Sequence, residues 1–66
     1  MESLEASLGQ AFYMYEFIRT ETDKEETIII EMVMAELRKQ YATISEDDQE
    51  IIEEILTFKY CTKLGV

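Results

Sequence analysis

Histidine and proline are absent from this 66-residue chain, cysteine occurs once, glycine twice, and only six residues are basic. Each shortage closes off a class of chemistry. Without histidine the usual proton shuttle is missing, together with the base that most often activates serine or cysteine for attack. A single cysteine, Cys61, excludes an internal disulfide, and with no histidine beside it no zinc-ligand spacing can be written. Phosphate loops and dinucleotide fingerprints need glycines at fixed spacing, and Gly9 and Gly65 do not supply it. No metal, no cofactor and no catalytic residue are therefore expected, and the chain reads as a non-enzyme.

The remaining shortages bear on partners. Fifteen acids against six basic residues leave a net charge of −9. Nucleic acid and anionic lipid both demand a positive footprint, so direct binding to either is not expected. Two arginines, no asparagine and three glutamines are also too few to read bases from a helix-turn-helix, although three short helices could adopt that shape. No apolar run approaches the roughly 20 residues of a membrane span. The opening MESLEAS is acidic where a secretory signal would be basic. Together with the unpaired thiol, that predicts a reducing, cytoplasmic location.

What the chain does contain is apolar residues, 47% of the total, in helical rhythm. The stretch Asp23–Tyr41 is the organising segment. Ile29, Val33, Leu37 and Tyr41, flanked by Ile30 and Met34, make one wide face. Ile28, Met32 and Ala35 make a second stripe roughly opposite. The β-branched run Thr27–Ile30 has some strand preference, but nothing else in the chain offers a pairing partner. Helix is the assignment.

Before it, Ser3 can cap a helix to about Thr20, with Glu5 and Arg19 at the ends that the helix dipole favours. Leu4, Leu8, Ala11, Tyr15 and Ile18 form its main stripe, widened by Phe12 and Met14, while Tyr13 and Phe17 stand off it as an i, i+4 pair. Thr22-Asp23-Lys24-Glu25 matches the capping box T-x-x-E and so predicts that the second helix starts there. After it, Ser45 can cap a third helix to about Lys63, with Gly65 as its terminator. Ile51, Ile52, Ile55, Leu56 and Phe58, with Tyr60 at the border, are its expected inward face.

The predicted fold is therefore all-α, a single domain over 1–66 with helices at about 3–20, 23–41 and 46–63. A domain this small buries only about 60% of its unfolded surface. With no disulfide or metal to help, completion by homodimerisation is expected. Tyr13, Phe17, Ile28, Met32 and Ala35 are the expected protein-contact residues. The function expected is a small regulatory or adaptor module that binds itself or another protein. Two alternatives stand beside it. Glu46, Asp47, Asp48, Glu50, Glu53 and Glu54 put six acids into nine positions, an acidic face that a DNA-mimicking inhibitor would turn toward a basic protein. A structural subunit of a larger assembly is the third reading. The acids do not follow the calcium-loop pattern, and at an N-terminus they suit the helix dipole without any ligand.

Overall fold

The computed structural model describes residues 3–61, in which three α-helices pack pairwise into a bundle. The first, α1, spans Leu4–Glu21. The Ser3 side chain accepts a hydrogen bond from the Ala6 amide at 3.1 Å, satisfying one of the orphan donors at the helix start. The second helix, α2, spans Glu26–Gln40, and the third, α3, spans Glu46–Cys61. Ser45 caps α3 as its sequence position predicts, accepting from the Asp48 amide at 3.1 Å. The Gln49 side chain also donates to the Ile44 carbonyl, which fixes the entry into that helix. The expected terminus of α3 at Lys63 and the expected terminator Gly65 lie outside the described residues.

The capping box at Thr22 does not form. Thr22 instead ends α1: both its amide and its hydroxyl donate to the Ile18 carbonyl, at 3.0 and 3.1 Å. Its backbone and that of Glu25 are extended, so the chain needs all of 22–25 to reverse direction. α2 consequently begins three residues later than the capping box predicts, on Glu25, which makes no side-chain cap. Sequence spacing alone cannot tell whether a threonine at a helix junction serves the helix before it or the one after it.

Half of the core comes from α2, through Ile29, Ile30, Val33, Met34 and Leu37. Ala11, Met14 and Tyr15 of α1 and Ile52 and Leu56 of α3 complete it, with Leu4, Leu8, Phe12, Ile18 and Ile44 half-buried around it. The β-branched run is helical throughout, and the burial of Ile29 and Ile30 outweighs its modest strand preference. Ser7, one turn before Ala11, is also buried, a position that the apolar pattern does not mark.

The inward face of α3 is narrower than the sequence pattern suggests. Ile52 and Leu56 are fully buried and Ile55 half-buried, but Ile51 and Phe58 face solvent. Phe58 follows Leu56 by two residues, about 200° around a helix, so the two cannot share one face.

Gly9 sits on the exposed side of α1, and a methyl group added there would meet nothing within 4 Å. Gly9→Ala should therefore stabilise the fold by up to about 1 kcal/mol through helix propensity alone. A urea titration showing a loss of stability would mean that the open side of α1 is occupied in solution.

Candidate functional site

Two surface features and one largely buried cluster carry specific chemistry. The first is a groove of about 360 Å³ between α1 and α2. Tyr13 and Phe17, one turn apart on α1, are 67% and 57% exposed and form one wall with Met14 and Ile18. Met32 of α2 closes the other side, and Gln10, Glu36 and Gln40 make the polar part of the lining. Of the five residues expected to make protein contacts, three thus meet in one place. Ile28 and Ala35 are also exposed and share Met32's stripe, but they do not line the groove.

The second feature is the outer face of α3. Of the six acids at 46–54, Asp48 is half-buried and the other five are exposed. Glu50, Glu53 and Glu54 line a hollow of about 430 Å³ together with Thr57 and Phe58. Glu46, Asp47 and Asp48 fill the first turn, where the helix dipole favours them, and do not line that hollow. Among the described residues, no three cysteine, aspartate or glutamate side chains converge as a metal site would require.

The third is an aromatic latch between α1 and α3 that the apolar pattern does not reveal. The Tyr15 and Tyr60 rings stack with centroids 3.6 Å apart and planes within 8°. Phe12 meets Tyr60 edge-on at 6.5 Å, and the Lys59 ammonium lies 5.6 and 5.5 Å from the Phe12 and Tyr60 ring centres. The Tyr60 hydroxyl donates to Glu16 at 2.9 Å, and Arg19 pairs with the same carboxylate at 2.6 Å. The Tyr15 hydroxyl is buried with no hydrogen-bond partner among the described residues, an uncommon cost for a core of this size. Cys61, half-buried, packs against the same core.

This latch shifts three acidities. Burial chiefly, then the bond to Glu16, pushes the Tyr60 hydroxyl up to about 12. Burial likewise raises Tyr15 above its ordinary value, with the Glu26 carboxylate adding to the effect. The hydrogen bond from Tyr60, reinforced by Arg19, holds the Glu16 carboxyl below its ordinary value. In the unfolded chain Tyr60 ionises near its ordinary value of 10.0, before the folded chain does. Rising pH therefore favours unfolding across the window between the two. Stability is expected to hold up to about pH 10 and to decline toward about pH 12. Tyr60→Phe, less stable at neutral pH, should show a shallower decline in thermal melts over that window. Equal slopes for the two proteins would remove Tyr60 as the cause.

Among the described residues no helix is long and apolar enough to cross a membrane. In comparisons with known proteins, the chain matches no family model, no curated protein and no solved structure.

Proposed function

We propose that the chain is a non-catalytic protein–protein interaction module, regulatory or adaptor in kind, whose α1/α2 groove is covered by a second copy of itself. The observation that carries the reading is the meeting of Tyr13, Phe17 and Met32, all exposed, in one groove. Among the described residues Glu36 is the single charged one in its lining, and depletion of charge is what separates the centre of an interface from ordinary surface. Tyrosine and phenylalanine are enriched at such centres, and methionine adapts its shape to a partner. The small core gains from added burial, and a twofold dimer is the commonest way to obtain it. Ile28 and Ala35 extend the same apolar surface along α2.

The opposing force is self-repulsion between two chains of −9. At physiological salt it is screened within about 8 Å, and the acids of α3 do not line the groove. A reduced, cytoplasmic setting suits the unpaired Cys61.

Sedimentation over a range of protein concentrations, at low and high salt, tests the reading. A mass of twice 7.8 kDa, with association tightening as salt rises, is the expected result. A monomer at every concentration and both salt levels would overturn self-association.

A further inference from the structure

The outer face of α3 is a second surface, separate from the groove, and its chemistry is different. Ile51 and Phe58 lie seven residues apart, two turns along one side of the helix, and are 40% and 74% exposed. Glu50, Glu53 and Glu54 line the same hollow as Phe58. Among the described residues, no cation of the chain pairs with these three carboxylates. The nearest basic side chain on α3, Lys59, is committed to the Phe12 and Tyr60 rings. An exposed phenylalanine and three carboxylates with no cation partner among the described residues ask for an occupant with apolar and positive groups on one side.

We propose that this face docks a cationic amphipathic helix of a partner protein. Apolar residues of that helix at i, i+3 and i+7 would cover Ile51 and Phe58, removing both from water. Lysine or arginine beside them would reach Glu50, Glu53 and Glu54, and an arginine can lie on the Phe58 ring while bonding a carboxylate. Charge complementarity chooses between the possible occupants. A second copy placed on this face by a twofold axis would set these glutamates against their own equivalents. A nucleic-acid mimic has no use for an exposed phenylalanine lining the same hollow as its carboxylates. A basic helix uses every group present.

The proposal does not rest on self-association through the groove, since no α3 residue lines the groove. The test separates the two. A synthetic helical peptide with leucines along one face and lysine and arginine on its flanks is titrated into the full chain. Binding is followed by calorimetry and by amide chemical shifts. A scrambled peptide of the same composition, with no apolar face, is the control.

The expected result is binding at least about tenfold tighter for the amphipathic peptide than for the scrambled one. Shifts should centre on Glu50, Glu53, Glu54, Thr57 and Phe58. Phe58→Ala, at an exposed site, should keep native helicity and weaken binding about tenfold. The double change Glu50→Gln and Glu54→Gln should flatten the salt dependence, and a groove substitution at Met32 should leave peptide affinity unchanged. Equal affinity for the scrambled peptide would reduce the effect to net charge and overturn the proposal. Shifts centred on Tyr13, Phe17 and Met32 would overturn it as well, by assigning the peptide to the groove.

Discussion

Leu37→Ala is expected to cost about 3–4 kcal/mol, a large share of the stability available to a chain this short. Leu37 is fully buried, the last of the five α2 residues that supply half of the core. Truncating a buried leucine removes the transfer free energy of the deleted methyl groups and leaves a cavity, typically about 2–5 kcal/mol together. A domain of this length has on the order of 3–10 kcal/mol of stability in all. The same substitution that a larger protein absorbs is therefore close to limiting here. Phe58→Ala is the matched control: it deletes a larger side chain, but from a site 74% exposed, and should change stability by no more than about 0.5 kcal/mol. Urea denaturation followed by circular dichroism, at one fixed protein concentration because association would add to stability, compares them. If Leu37→Ala lost less than Phe58→Ala, the arrangement of the core described above would be wrong.

The contrast between those two residues also shows where sequence reasoning works. Leu37 belongs to a run, Ile29-Ile30-Val33-Met34-Leu37, whose spacing has one helical solution, and all five residues are buried. Caps are legible when a single residue has a single task, as at Ser3 and Ser45. They fail at Thr22, whose hydroxyl bonds the Ile18 carbonyl of α1 and the Lys24 amide of the connection, and reaches no amide of α2 among its hydrogen bonds. Phe58 fails for a related reason. Apolar character marks a residue as available for burial, but the angle around the helix decides, and α3 turns only Ile52 and Leu56 fully inward. The latch of Tyr15, Tyr60 and Glu16 joins residues 44 positions apart, and no local period can report that. Of the surfaces, the groove was legible in outline, because Tyr13, Phe17 and Met32 lie off the main stripes. On α3 the acidic face is legible as a run of carboxylates, but its exposed Phe58 is not, because the apolar pattern places Phe58 on the inward face.

Phe17→Asp combined with Met32→Glu is expected to separate the dimer proposed here by about a thousandfold in dissociation constant. Twofold symmetry sets the size of the effect. Each substitution appears twice in one interface, so two changes per chain alter four sites. If each site loses only about 1 kcal/mol, the total of about 4 kcal/mol corresponds to nearly three powers of ten. The introduced carboxylates act in the same direction, since a charge turned into an apolar contact must be desolvated or must break the contact. Within one chain the cost should be small, because Phe17 is 57% and Met32 38% exposed and neither belongs to the buried core. Helix content should therefore survive while sedimentation falls to the single-chain mass of 7.8 kDa. Persistence of the dimer with both substitutions in place would move the interface to another face of the bundle. Joint loss of helicity and association would instead make Phe17 and Met32 structural residues, and the groove would then be a fold requirement and no docking surface.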